Sequence, residues 1–338
     1  MENKVFVVTV TYGNRFYLLK QVIDAALEEG VYKIIVVDNN SESESRNKLI
    51  EYERVLNGKI KVLYLDDNYG SAGGYKIGLK EAYKDPECEF IWLLDDDNKP
   101  MNNALRVLLD FWYSLEIKDK QEKVALLSFR PIREYLCVES ILKNKPELVL
   151  GGKNSFLGFH IKNLPAKIKK YLQRLLNLKN KEINLKYGTI PSAIYGGLFI
   201  HKNIFDIIGF PNENFYLYAD DTEWTYRITK IDGKIYLILE SIIDDLELSW
   251  AISDKKRLTK INILVKNKTR FYYSTRNGVF FEINNLVDNK IIYFTNMISY
   301  ILLAFIFNRS ISFIRIAIKA IKDGYKGKLE KVEDKQLK

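Results

Sequence analysis

Two acidic clusters could carry chemistry in this chain. Asp95, Asp96 and Asp97 follow one another in WLLDDDNKP (92–100), and Asp220, Asp221 and Glu223 stand together in ADDTEWTYR (219–227). In an extended strand alternate side chains face opposite ways, so Asp95 and Asp97 share one side and Asp96 takes the other. Two carboxylates held side by side repel, and one is driven to bind a proton unless a cation intervenes. Mg²⁺ or Mn²⁺ takes one or two carboxylates and fills its other positions with water and phosphate oxygens. The triplet therefore reads as a metal–diphosphate site, against the plainer alternative of a solvated acidic loop. The second cluster precedes a helical segment, where acidic residues also serve simply to complement the helix end. Its chemical reading is a general base that takes a proton from a hydroxyl.

Such residues need a scaffold, and the first 130 residues supply a pattern for one. KVFVVTVTY (4–12), KIIVVDNN (33–40), KIKVLYLDDN (59–68), EFIWLLDDD (89–97) and VALLSF (124–129) read as strands. Helical spacing fills 16–30, 41–58, 70–85 and the stretch from Asn102 through Tyr113. Ser41, with Glu44 three residues on, has the form of an N-terminal capping box. Alternation of this kind predicts an α/β fold with a mostly parallel central sheet flanked by helices. Ligands of such sheets bind outside the carboxyl ends of the strands. Polar residues gather at those ends: Thr11, Asp38, Asn39, Asn40, Asn68 and Asp95–Asp97. Asn68, Gly70, Ser71, Gly73 and Gly74 form a loop at a helix start, where backbone N–H groups favour anions. Because these glycines follow the third strand and not the first, a dinucleotide-binding dehydrogenase is disfavoured.

Composition narrows the class further. The 338 residues are 47% hydrophobic and 13% aromatic, enough for one large α/β domain with a tail, or two small domains, and too apolar for wholesale disorder. Two cysteines, Cys88 and Cys137, make neither a disulfide framework nor a metal cluster and read as reduced thiols. The opening residues lack the pattern of a secretory signal, which points to a cytoplasmic protein. Net charge is +9, concentrated between Lys162 and Lys186 and after residue 250. With no nucleic-acid module in sight, the excess points to a membrane surface or to phosphate. Residues 165–178 have the spacing of a basic amphipathic helix. The stretch 291–307 carries no charge, sits at the lower edge of a membrane span, and is followed by Arg309, Arg315, Lys319, Lys322, Lys326 and Lys328. That order favours attachment in the plane of an anionic membrane over crossing it.

Taken in order, VTVTYGNR, IIVVDNNS, DDNYGSAGG, IWLLDDDNKP, YGGLFIHKNIFDIIGF and ADDTEWTYR resemble the inverting glycosyltransferases of family 2, with the GT-A fold, over roughly residues 4–250. NYGSAGG and IWLLDDD are similar to the galactofuranosyltransferase branch. TRFYYSTRN (269–277) and IKAIKDGYKGKL (318–329) resemble C-terminal parts of rhamnosyl- and galactofuranosyltransferases of surface polysaccharide synthesis. The resemblance implies a GT-A domain over 1–250, with a nucleotide-binding half to 130 and an acceptor half beyond it, and a helical, basic membrane-associating extension over 251–338. It implies that Thr11, Arg15, Asp38, Asn40, Asn68, Gly70, Ser71, Gly73, Gly74 and Asp96 hold the nucleotide-sugar donor. Asp95 and Asp97 would hold Mg²⁺ or Mn²⁺, Asp221 would be the base, and Asp220 and Glu223 would orient acceptor hydroxyls, with Gly196-Gly197 nearby. A histidine that often completes the metal site of this branch is missing, and Asp244 or Asp245 is its substitute; Asp245 is taken as the third ligand. His201 reads as structural and His160 has no assigned part. The implied donor is UDP-galactofuranose, with dTDP-rhamnose as the alternative. The acceptor is a glycan or lipid-linked glycan at the inner face of the cytoplasmic membrane, and an oligomer is left open. A sugar nucleotidyltransferase or a non-catalytic assembly scaffold are the readings from other classes.

Overall fold

The computed structural model describes residues 4–163, 185–247, 267–308 and 311–332. The basic helix expected over 165–178 lies outside the described residues.

The first half alternates as expected. Strands β1 (Val5–Thr11), β2 (Lys33–Asp38), β3 (Ile60–Tyr64) and β4 (Phe90–Leu93) are joined by helices α1 (Phe16–Glu28), α2 (Ser43–Leu56) and α3 (Gly70–Lys84). β1 pairs in parallel with both β2 and β4, and β2 with β3. Alternate residues of β1 show why the run is apolar throughout: Val5 and Val7 enter one core, Phe6 and Val8 the other. A parallel sheet covered by helices on both faces buries both sets. Thr11 pairs in register with Asp38, so the polar strand ends come level at one edge.

Beyond β4 the chain adds β5 (Asn98–Pro100), α4 (Ala104–Ser114), α5 (Lys120–Lys123), β6 (Val124–Phe129), α6 (Tyr135–Lys143), α7 (Glu147–Leu150), β7 (Tyr187–Ile190), β8 (Leu198–His201), α8 (Ile204–Ile208), α9 (Asp220–Lys230) and β9 (Lys234–Asp245). The sheet runs β3-β2-β1-β4-β8-β6-β9-β5, with β7 also on β9. β8 slots antiparallel between β4 and β6, so the sheet is mixed and not simply parallel.

Two helix starts differ from the sequence pattern. α2 begins at Ser43 with Glu42 before it and no side-chain cap, so the Ser41–Glu44 box does not form. α4 is capped from a distance: Glu29 accepts the N–H groups of Asn103 (2.7 Å) and Leu105 (2.8 Å). Such orphan donors at a helix start need a partner, and a carboxylate from another element serves.

Among the described residues, α10 (Lys268–Asn285), α11 (Lys290–Asn308) and α12 (Ile311–Tyr325) follow. Phe271, Tyr272 and Tyr273 of α10 pack against Phe313, Ile316, Ala317 and Ala320 of α12 and against the loop at 216–218. The chain then returns to the sheet edge, where Leu329 is buried beside Ala72 and Phe215.

Candidate active site

β4 stops at Leu93, and the acidic triplet sits in a turn closed by the Asn98 N–H on the Asp95 carbonyl (3.0 Å). Extended geometry has ended there, yet the three carboxylates still part company. Asp96 is buried and accepts from Thr11 Oγ1 (2.8 Å) and from Arg15 Nε (2.9 Å) and Nη2 (2.9 Å). Asp95 Oδ1 accepts from the Tyr75 hydroxyl (2.7 Å), and its Oδ2 lies 3.7 Å from Arg130. Asp97 accepts from Asn98 Nδ2 (3.1 Å), with Arg15 at 3.5 Å and Arg133 at 3.8 Å.

The electrostatics match a crowded site. Burial, and then the neighbouring charges of Asp95 and Asp96, push the Asp97 carboxyl up to about 7. Burial also raises Asp96, although Arg15 works against it. Like-charge pressure of this kind is what a cation would relieve, so Asp95 and Asp97 fit as ligands for a hard divalent ion. Asp245 does not fit as the third. Its Oδ1 accepts from Asn98 Nδ2 (2.8 Å) and its Oδ2 from Arg133 Nε (2.7 Å), with Arg130 at 3.5 Å. A carboxylate already given to two guanidinium groups has little left for a metal. Among the described residues no group of three His, Cys, Asp or Glu side chains is placed to hold one.

Several residues expected to face a donor are turned inward. Thr11 and Arg15 are committed to Asp96, and Arg15 also pairs with Glu247 (2.6 Å). Asp38 is fully buried, accepting from the Ser41 N–H (2.9 Å) and from Arg46. Asn68 Oδ1 caps the glycine loop by accepting the Gly70 N–H (2.8 Å). Gly70 has φ +69°, and a Cβ there would stand 1.9 Å from the Tyr216 carbonyl oxygen. Gly74 is a packing glycine: a Cβ would meet Val10 of β1 at 2.7 Å, so its absence lets α3 lie on the sheet. Gly73 likewise abuts Tyr69. Asn40 remains exposed at the sheet edge, and the exposed Tyr12 ring lies 5.6 Å from the Arg15 guanidinium.

The second acidic cluster comes to the same edge. Ser71 of the glycine loop donates to Asp220 Oδ2 (2.9 Å). Asp220 is buried, and burial followed by the Asp221 charge raises its carboxyl. Asp221 is half-buried, accepts from the Thr222 N–H (2.6 Å), and is raised by burial and by the charge of Asp95, with Arg130 opposing. Asp95 and Asp221, far apart in sequence, thus feel each other directly. Glu223 does not join them. It forms a two-pronged pair with Arg227 one turn on, at 2.9 Å and 2.6 Å, and Arg227 in turn donates to the carbonyls of Ile208 and Phe210.

Gly196 abuts the triplet itself: a Cβ there would fall 2.0 Å from Asn98 Oδ1 and 2.8 Å from Asp95 Oδ2. Arg130, Arg133, Tyr75 and Tyr195 were not singled out by sequence. Arg130 is buried in a pair with Glu134 (2.9 Å). Tyr195 packs at a tilt against Tyr75 (4.1 Å between centroids), with its buried hydroxyl beside Asp220. The signal for the arginines was the position of RPIR directly after β6, a fifth strand end. His201 is structural, as expected: buried, stacked on Trp112, and held neutral by burial, which lowers it to about 4.

Comparison with known proteins follows the same lines. The model of the family described as "Glycosyl transferase family 2" matches residues 6–117. The dTDP-rhamnosyl transferase RfbF of Shigella flexneri is 25% identical over 281 residues, covering 82% of this chain and 79% of the relative. The low-salt glycan biosynthesis hexosyltransferase Agl10 of Haloferax volcanii is 24% identical over 200 residues, 59% of this chain and 53% of the relative. This chain thus spans about half of the latter's length. Among solved structures, S. aureus TarS superposes with a TM-score of 0.52 at 14% identity, over 96% of this chain and 49% of that one. The TarS 1-349 structure with UDP-GlcNAc gives 0.51 at 15%, over 95% and 80%. At these identities the structures establish the shared fold.

Proposed function

We propose that this glycosyltransferase, whose residues 6–117 carry the family 2 domain, transfers rhamnose from dTDP-rhamnose to a glycan or lipid-linked glycan with inversion at the anomeric carbon. The observation that carries the reading is the union of the two acidic clusters. The Ser71–Asp220 bond ties the glycine loop to α9, and the charge of Asp95 reaches Asp221. A sugar acceptor and a diphosphate leaving group need those two functions at one place.

Asp221 is the base in this reading. It takes the acceptor hydroxyl proton as the oxygen attacks the anomeric carbon, the bond to the diphosphate oxygen breaks, and the nucleoside diphosphate leaves with the electron pair. Its carboxyl is raised by burial but still ionises near neutrality, which suits a base that must bind a proton in the transition state. Asp220 sits behind it, oriented by Ser71. Asp95 and Asp97 would hold a divalent cation, which when bound supplies charge neutralisation to the departing diphosphate. Asn40 and Tyr12 are the exposed groups at the nucleotide edge, and Tyr12 offers a ring face for a base.

The choice of rhamnose over galactofuranose is supported by RfbF, whose likeness runs over most of both chains. TarS, solved with UDP-GlcNAc, supports only the general use of a nucleotide sugar on this fold. Attachment to an anionic membrane from the cytoplasmic side is supported by α11. Ile291, Ile298, Leu302, Phe305 and Ile306 are all exposed along it at helical spacing, with Arg315 and Lys322 on α12. Among the described residues no helix is long and apolar enough to cross a membrane.

The test is turnover of a donor panel (dTDP-rhamnose, UDP-galactofuranose, UDP-GlcNAc) by purified protein with Mg²⁺ or Mn²⁺. Release of dTDP from dTDP-rhamnose, lost in Asp221→Asn, is expected. Preference for UDP-galactofuranose would restore the alternative donor, and activity unchanged in Asp221→Asn would remove the base assignment.

A further inference from the structure

The segment between Phe215 and α9 holds three non-glycine residues in the left-handed region: Tyr216 (φ 62°), Tyr218 (φ 68°) and Ala219 (φ 59°). L-residues avoid this region because Cβ crowds the backbone, so such a cluster persists only where its surroundings fix it. The residues that follow at once are Asp220 and Asp221. What fixes the loop is α10, at two adjacent positions of the TRFYYSTRN segment.

Asn277 is fully buried, and its Nδ2 donates to three carbonyls of this loop: Phe215 (3.0 Å), Leu217 (2.8 Å) and Tyr218 (2.8 Å). Arg276, also fully buried, sets the amide the right way round. Its Nε donates to Asn277 Oδ1 (2.8 Å), which leaves the Nδ2 side for the carbonyls. The rest of the guanidinium reaches Phe215 O (3.0 Å) and Glu330 O (2.7 Å), and it lies over the Tyr273 ring at 4.7 Å. On its other side the loop meets the glycine loop: Ala72 N–H donates to Tyr216 O (3.3 Å), at the point where Gly70 leaves no room for a Cβ.

We infer that Asn277, held in orientation by Arg276, is a positioning residue for the reaction: it pins the strained 215–219 loop and thereby aims Asp221 at the acceptor. Ordinary packing would hold a helix against a loop without aligning three carbonyls on one amide. A buried amide whose donors all go to one loop specifies a conformation, because any other arrangement leaves those donors unmet. The inference rests on Asp221 as base, and it reaches residues well beyond the 6–117 match.

The experiment compares wild type, Asp221→Asn, Asn277→Ala and Asn277→Ser with dTDP-rhamnose or whichever donor turns over. Assays run at a temperature where circular dichroism shows every variant folded, and amide hydrogen exchange is followed in parallel. Displacing a reacting group by about an ångström costs on the order of a hundredfold in rate. We therefore expect Asn277→Ala to lose at least about tenfold in kcat with donor KM within about threefold, and exchange to rise at 216–221 alone. Asn277→Ser, which keeps one donor, should fall between and stands in for the alanine variant if that does not fold. A folded Asn277→Ala with wild-type kcat overturns the inference. So does a loss of kcat accompanied by faster exchange along all of α10, which would mark a general structural residue. Full activity in Asp221→Asn would defeat the base assignment instead, whatever Asn277 does.

Discussion

Asp97→Asn should stabilise the protein while abolishing its activity. Asp97 is 8% exposed, and its carboxyl is raised from 3.8 to about 7 by burial and by Asp95 and Asp96. The sign follows from proton uptake. With the folded-state value above the unfolded one, the folded protein holds the extra proton between about pH 4 and pH 7. Stability from this group is full below that window, falls as pH rises through it, and is lowest above. Each pKa unit is worth about 1.4 kcal/mol, so the ionised carboxylate costs about 4 kcal/mol at pH 8. An amide resembles the neutral acid, though its NH₂ group turns toward Arg15 or Arg133, which reduces the gain. We expect about 2–4 kcal/mol more stability for the variant at pH 8 and about none at pH 4. Urea denaturation in EDTA at both pH values measures it, as a shift in midpoint with an unchanged slope. Adding Mg²⁺ and dTDP should then stabilise the wild type, by about 2.7 kcal/mol at a hundred times Kd, and the variant far less. An Asp97→Asn protein that is no more stable than wild type at pH 8 without metal would refute the charge-crowding account of the triplet.

Other perturbations test the surrounding parts. Gly70→Ala should cost about 2 kcal/mol or more in stability and most of the activity, because the backbone is left-handed and the Tyr216 carbonyl occupies the Cβ position; thermal melting and donor turnover check it. The acid limb of the kcat profile should lie well above pH 4, since the base must be ionised and burial raises both Asp220 and Asp221; a limb at the ordinary carboxylate value would contradict that environment. Leu302→Asp with Phe305→Asp should reduce sedimentation with anionic vesicles at least about tenfold and leave soluble-acceptor turnover intact, whereas unchanged binding would exclude the α11 face.

The parallel half of the sheet was legible because strands buried on both faces, β1, β2 and β4, read as apolar runs ending in polar residues, while the edge strand β3 alternates buried and exposed. The insertion of β8 between β4 and β6 was not, since LFIH carries no local mark of which neighbours it will pair with. Glu223 is a different case. Its partner Arg227 lies four residues on, a spacing that pairs charges on any helix, and that local reading competes with the functional one. Asp38 is similar: a strand-end carboxylate that Ser41 and Arg46, both close in sequence, absorb into the loop. Asn277 lay in a motif, TRFYYSTRN, that sequence marked without a role, because its three acceptors lie about sixty residues away and depend on backbone conformations that sequence does not display.

The pairing pattern shows where the charge around the triplet is met. Arg15 is spent on Asp96 at 2.9 Å, Arg133 on Asp245 at 2.7 Å, and Arg130 on Glu134 at 2.9 Å. What reaches Asp95 and Asp97 from these cations is only 3.5 Å or longer. The close ion pairs neutralise the carboxylates that build the walls, and the uncompensated charge is left on the two residues that face the strand-end edge. Had the acidic triplet been a solvated loop, burial would not have raised Asp97, and nothing would have required three arginines around it. Residues that only hold a fold tend to have their charges met within it; at the triplet the deficit falls on Asp95 and Asp97, and a cation with a diphosphate is the chemistry that would meet it.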